Sequence, residues 1–330
     1  MSPSVTAVFC PVILKGSAVK RQIMVIKVLV DNRTLEGSDL VCEHGLSLYV
    51  ECDGALFLVD TGATGTFLKN ACAMGIDLAA VDFCLISHGH SDHAGGLRHF
   101  LELDSIAKVI LSSDVFTHKF FSDKGGEIKD IATDQSLLDD YLERFNCLDV
   151  IEAVQSGYTP GERCRMDSKL FGGVTGGPFA WWVTPDIAIV KCGCDKYSRP
   201  GGNRTLYKRA LGDGADMVPD DFSHELSVAV KTVDGLVIIS SCSHCGAANI
   251  IESSLETTGE SRLKAFVGGL HFTDRSDSLE EDVVEFINYI GTHHPQAQIY
   301  TGHCTGDRAK SLLSTYKNIH FFATGEEITI

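Results

Sequence analysis

The 330-residue chain has no apolar run of the roughly 18 or more residues that a bilayer-spanning helix needs, so no such helix is expected. Positive charge is scarce: 28 Lys and Arg stand against 44 Asp and Glu, a formal net charge of -16. That field repels phosphate backbones and argues against general nucleic-acid binding, while leaving room for a small anion gripped by a few local cations. There is no Gly-x-Ser-x-Gly or Ser-His-Asp pattern, so no side-chain nucleophile of that kind is in view. Repeats, low-complexity tracts and a flavin-binding domain are also missing. Val5 to Leu14 is apolar, but Lys15, Lys20 and Arg21 follow it, the reverse of a secretory signal peptide. Residues 1–22 therefore read as a loosely held extension, and the lack of a targeting signal points to the cytoplasm. Cysteine, in contrast, is abundant. Its 12 copies are scattered along a long chain, which favours reduced thiols over a disulfide framework.

Residues 23–330 read as a single α/β domain. β-Branched segments predict strands at Met24 to Val30, Leu46 to Glu51, Ala55 to Asp60, Phe83 to Ser87 and Lys108 to Leu111. Helical spacing appears at Thr66 to Met74 and Gly96 to Leu103. The second half repeats the order. Asp234-Gly235 turns a hairpin of Leu226 to Lys231 and Leu236 to Ser240. Helices follow at Ala247 to Glu256, Leu279 to Ile290 and Asp307 to Tyr316, with strands Leu263 to Val267 and Gln298 to Tyr300 between them. Paired strands followed by strand-helix alternation, twice over, predict two mixed sheets face to face with helices outside, an αββα layering. A Gly- and Pro-rich stretch at about 157–221 reads as a loop insertion of the kind that caps an active site.

The chemistry concentrates at Ser87-His88-Gly89-His90-Ser91-Asp92-His93, directly after the apolar strand Phe83-Cys84-Leu85-Ile86. Imidazoles and a carboxylate this dense suit zinc, iron or manganese. A polar surface loop is the bland alternative, and the spacing after a buried strand argues against it. His244, His271 and His303 each follow a predicted strand and precede a helix, so strand carboxyl ends can gather them on one rim. His44, His99, His118, His293, His294 and His320 lack that context and are read as surface or packing residues.

These residues resemble the metallo-β-lactamase superfamily: Asp60 in Val59-Asp60-Thr61-Gly62, the His88/His90/Asp92/His93 signature, and the later strand-end histidines. Within it, Cys242-Ser243-His244, Gly268-Gly269-Leu270-His271 and His303-Cys304-Thr305-Gly306 look like the subfamily of dihydropterin-linked ribofuranosylaminobenzene phosphate synthase-like proteins. The resemblance implies a four-layer αββα fold and one or two divalent metals, zinc first, with manganese or iron as alternatives. By the family pattern His88 and His90 hold one metal and Asp92 and His93 the other. His244 and His303 are the candidates to complete the sets, with Asp60 orienting ligands behind them. Many members also carry an aspartate that bridges the two metals. Here the comparable strand ends Ser240-Ser241-Cys242-Ser243-His244, without a carboxylate. His224 or Glu225 would be the substitutes.

The expected activity is hydrolysis of an ester, phosphoester or amide of a small, phosphorylated or pterin-like substrate by metal-activated water, with Asp92 or His271 managing protons. Lys196, Arg199, Arg204, Lys208 and Arg209 form a basic cluster that reads either as an anion grip or as a solvated loop. The rival classes are a metal- or thiol-dependent redox protein on the same fold, because Cys242-Ser-His-Cys245 is a Cys-x-x-Cys, and a non-catalytic small-ligand binder. A small molecule is the expected partner, with neither nucleic acid nor membrane; a homo-oligomer is left open.

Overall fold

A computed structural model of the chain describes residues 23–103, 105–147, 179–212 and 214–330; the expected extension 1–22 and the first part of the 157–221 stretch lie outside these. Two seven-stranded mixed sheets carry the architecture. In the first, Glu327–Thr329, Met24–Val30, Ser47–Cys52 and Ala55–Val59 pair antiparallel, and Phe83–Leu85, Lys108–Leu111 and Phe145–Cys147 continue in parallel. The second runs the same way. Phe179–Trp182, Ile187–Lys191, Leu226–Thr232 and Gly235–Ile239 are antiparallel, then Leu263–Val267, Gln298–Thr301 and Ile319–Phe321 are parallel.

Alternating side chains explain why the sheets stack. Ile26, Val28, Leu48, Val50, Phe57 and Phe83 of the first face Val228, Val230, Val237, Ile239 and Val267 of the second in one dry layer. The opposite face of the first sheet, with Leu58, Cys84 and Val109, packs under Phe67, Ala71, Leu97 and Phe100. That of the second, with Ala229, Ile238 and Phe266, packs under Ile250, Ile251, Val283 and Phe286. Three apolar layers separate four structural ones, the αββα order expected. Helix Leu279–His293 shows the local logic. Leu279, Val283, Phe286 and Ile290 recur on one buried face, and Glu280, Glu281 and Asp282 sit in the first turn, where the helix dipole favours negative charge.

Two features differ from expectation. The described part of 157–221 is not all loop, because Phe179–Trp182 and Ile187–Lys191 are strands of the second sheet. Trp181, Ile187 and Ile189 alternate into the inter-sheet core, a pattern hidden by the glycines and prolines around it. A separate four-stranded sheet, ordered Val218–Pro219, Leu206–Ala210, His118–Asp123 and Ile128–Asp130, joins the two halves of the chain above the site.

Parallel strands must all end on one side, so the turns after Phe83–Leu85, Gly235–Ile239, Leu263–Val267 and Gln298–Thr301 share a rim. Gly268 lets two of these turns touch. Its φ is +142°, and a methyl group there would lie 1.7 Å from the Ser240 carbonyl oxygen. Gly268→Ala is expected to destabilise the protein by at least about 3 kcal/mol, read as a fall in its thermal midpoint, because backbone blocks the added atom. An unchanged midpoint would show that the two turns are not held in this contact.

Candidate metal centre

The turn after Phe83–Leu85 is bound to the neighbouring strand end by Asp60. This carboxylate is fully buried and its residue has a φ of +61°. Oδ1 accepts the Ser87 amide at 2.7 Å, while Oδ2 accepts the Ser87 hydroxyl and the His93 Nδ1–H, each at 2.7 Å. The Ser87 hydroxyl has one hydrogen and gives it to Asp60. It can therefore only accept from His88 Nδ1, at 2.8 Å. Both rings are thereby anchored through a proton on Nδ1, with Nε2 turned inward.

The same device recurs on the second sheet with amides in place of the carboxylate. Asn203 donates Nδ2 to the His244 carbonyl, which turns its Oδ1 to accept from His244 Nδ1 at 3.0 Å. Asn32 donates Nδ2 to the His303 carbonyl and accepts His303 Nδ1 at 3.1 Å. Four imidazoles thus turn Nε2 inward. The buried ring nitrogens His88 Nε2, His90 Nε2, His244 Nε2 and His271 Nδ1 have no hydrogen-bond partner. Leaving polar atoms this way costs about 1–3 kcal/mol each unless something fills the space between them.

The ring centroids of His88 and His90 are 4.6 Å apart, those of His88 and His244 4.9 Å, and those of His90 and His244 5.1 Å. On the other side, His93 Nε2 is 3.0 Å from His303 Nε2, and Asp92 Oδ2 is 3.7 Å and 3.5 Å from those two atoms. Donors around one tetrahedral zinc lie roughly 3.3–3.6 Å apart. The donor spacing of Asp92, His93 and His303, and the inward, partnerless Nε2 atoms of His88, His90 and His244, therefore suit two divalent ions, one facing each set. All the metal-ligand candidates read from the sequence meet here. His271 joins them from the third turn, its ring 4.2 Å from that of His244. Gly202 makes room for it, since a methyl group there would meet His271 Cε1 and Nδ1 at 3.2 Å.

The proposed substitutes for a bridging ligand are engaged elsewhere. His224 accepts the Gly89 amide at Nδ1 (3.1 Å) and faces Asp220 through Nε2 (3.1 Å), so both nitrogens are taken. Glu225 accepts the His244 and Cys245 amides at 2.7 Å each and pins that turn. The structure adds three residues that sequence reading passed over. Asp220 lies between His224 and His90, 3.8 Å from His90 Nε2. Asp31 accepts the His303 amide at 2.6 Å. His44, read as a packing residue, stacks on His303 at 5.6 Å and stands 3.5 Å from Asp92 Oδ2. A carboxylate isolated in sequence carries no spacing signal, which is why Asp31 and Asp220 were invisible. The basic cluster disperses: Lys208 pairs with Asp221, Arg199 with Asp195, Lys196 with Glu252, and Arg209 lies over Phe121.

Backbone strain concentrates at the rim. Among the described residues six that are not glycine have positive φ, and Asp60, Phe222, Ser243, His271 and His303 are five of them. Strain of this kind, of order 1–3 kcal/mol per residue, persists where surrounding structure overdetermines it, typically at functional sites.

Electrostatics follow burial. Desolvation first, then neighbouring imidazoles, hold His88, His244 and His303 well below the ordinary histidine range. Desolvation likewise lowers His90, and brings His271 to about 3. His93 is the exception: burial lowers it, but Asp92 and Asp60 outweigh that and raise it to about 9. Burial alone would raise Asp92, yet the surrounding imidazoles pull it well below the carboxylate range.

With this geometry in view, comparison points to a class: residues 40–161 match the sequence profile of the metallo-β-lactamase superfamily. The solved structure of a metal-dependent hydrolase of the beta-lactamase superfamily superposes with a TM-score of 0.66 at 27% identity, covering 92% of this chain and 98% of that one. Two Methanocaldococcus jannaschii proteins are similar in sequence. The 7,8-dihydropterin-6-methyl-4-(beta-D-ribofuranosyl)-aminobenzene-5'-phosphate synthase is 25% identical over 82% of this chain and 83% of its own. An uncharacterized protein is 25% identical over 92% of this chain and all of its own. Among the described residues no helix is long and apolar enough to cross a membrane.

The lowered histidines make metal-free stability depend on pH. Between their folded pKa and the unfolded value of about 6.5, His88, His90, His244, His271 and His303 bind fewer protons folded than unfolded, so stability falls as pH drops. His93 acts oppositely: its contribution is full below about 6.5 and is lost as pH rises toward about 9. Five rings outweigh one. The metal-free thermal midpoint is expected to fall between pH 7 and pH 5. A midpoint that is flat or rises on acidification would contradict these environments.

Proposed function

We propose that this protein is a metal-dependent hydrolase acting on a phosphoester or other ester of a small anionic molecule, working in the cytoplasm. The observation that carries the reading is the convergence of partnerless, buried ring nitrogens on one space, their protons fixed on the far side by Ser87, Asp60 and Asn203. That arrangement suits cations and no hydrogen-bonded network of the chain's own. When bound there, divalent ions polarise an acyl or phosphoryl oxygen and bring the pKa of water toward neutrality.

The residues divide the remaining work. Asp92, kept ionised by the imidazoles around it, offers a permanent carboxylate donor. His271 is uncharged at neutral pH with Nδ1 free to make a hydrogen bond to substrate. Phe222, stacked on His244 with ring centroids 4.4 Å apart, walls the site against water. Support for a phosphorylated substrate comes from the relative named for a ribofuranosyl phosphate product. Arg204, exposed beside Asn203, is the cation of the basic cluster best placed to meet such a group.

The redox alternative draws no support from the Cys-x-x-Cys. Cys242 Sγ points to His93 Nε2 while Cys245 Sγ points to the Phe222 carbonyl, and both are free thiols.

His88→Ala and His90→Ala, purified in parallel with the unaltered protein, test the proposal. Bound metal by elemental analysis is expected to fall, and hydrolysis of generic phosphoesters and lactones to drop by about 100-fold or more. Metal content unchanged in both variants would remove the basis for the assignment.

A further inference from the structure

Resting on that reading, we propose that the Cys242 thiolate is a ligand shared by the two metal positions.

The structure puts a sulfur between the two donor sets. Cys242 is 3% exposed. Its Sγ lies within 4.8 Å of the donor atoms of His88 and His244 and, equally, within 4.8 Å of those of His93 and His303. Asp60 also lies close to His88 and His93, but its oxygens hold Ser87 and the far side of His93. Among the described residues, Cys242 is engaged only by thiol and imidazole neighbours, the Cys304 thiol and His93. Its Sγ stands 3.2 Å from His93 Nε2, on the inward side of the ring that Asp60 holds through Nδ1. A sulfur and an imidazole nitrogen on one zinc would lie about 3.5 Å apart, given bonds of about 2.3 and 2.0–2.1 Å.

The turn that carries Cys242 is braced rather than loose. Glu225 holds the His244 and Cys245 amides, Ser243 Oγ donates to the Gly269 carbonyl at 2.7 Å, and the Gly269 amide reaches Ser241 O at 2.8 Å. A side chain held this firmly between two donor sets is positioned before any ion arrives. Binding would exchange the thiol proton, released to solvent, for the ion. A thiolate in the shared position also narrows the choice of metal. Soft sulfur favours zinc, iron or cobalt and disfavours manganese and magnesium.

The test uses the full-length chain, stripped with a chelator and titrated with cobalt(II) without oxygen. The unaltered protein is expected to develop sulfur-to-cobalt charge-transfer absorption. Cys242→Ser is expected to lose that band and bind cobalt about 100-fold more weakly or worse. Cys242→Asp should regain tight binding without the band. Cys304→Ser and Cys245→Ser, which alter neighbouring thiols, should keep it. Near-ultraviolet circular dichroism of each variant establishes that it is folded. If the band survives in Cys242→Ser, or cobalt binds the unaltered protein tightly without it, the thiolate assignment is overturned while the metal centre stands. If no cobalt binds at all, the metal centre and the thiolate fall together.

Discussion

The Asp60 carboxylate, buried without exposed surface and held in a left-handed backbone conformation, bonds the end of one strand to the turn after the next. Everything polar at the centre of the molecule is oriented from it. Through the Ser87 hydroxyl it sets the proton of His88, and directly it sets that of His93. Two asparagines extend the same control to His244 and His303 on the other sheet. A carboxylate could not replace those asparagines without a cost. Each amide must donate to a carbonyl and accept from a ring at once, and an ionised acid has no hydrogen to donate.

The fold's contribution is to make such control possible with few residues. Each sheet changes from antiparallel to parallel midway, so the strand ends that carry function all point to one edge. Tight approach at Gly268 and Gly202 then closes the space to a few ångströms. The apolar layers on either side keep water out, which strengthens each bond within the rim and raises the cost of any nitrogen left alone.

Much of this could be read from the chain before its shape was known. The αββα order followed from the alternation of strands and helices. The metal-facing histidines followed from their place just beyond apolar strands, because a strand end is a local property of sequence. What stayed hidden was non-local. Asp31, Asp220 and His44 owe their roles to turns brought together by sheet packing, and nothing adjacent to them in sequence announces it. His224 and Glu225 looked like spare ligands because the sequence lists donors without saying which are already hydrogen-bonded. The strands at Phe179–Trp182 and Ile187–Lys191 were masked by flanking glycine and proline.

His93 and His303, whose nitrogens nearly touch, lie 210 positions apart. The strained turns that carry them are held only once both sheets have docked, and chain closure over such a span comes late in folding. A nascent chain that has made only its first half owns His88, His90, Asp92 and His93 but no partners for them. A donor set drawn from both halves of the chain is complete only when the whole molecule has folded.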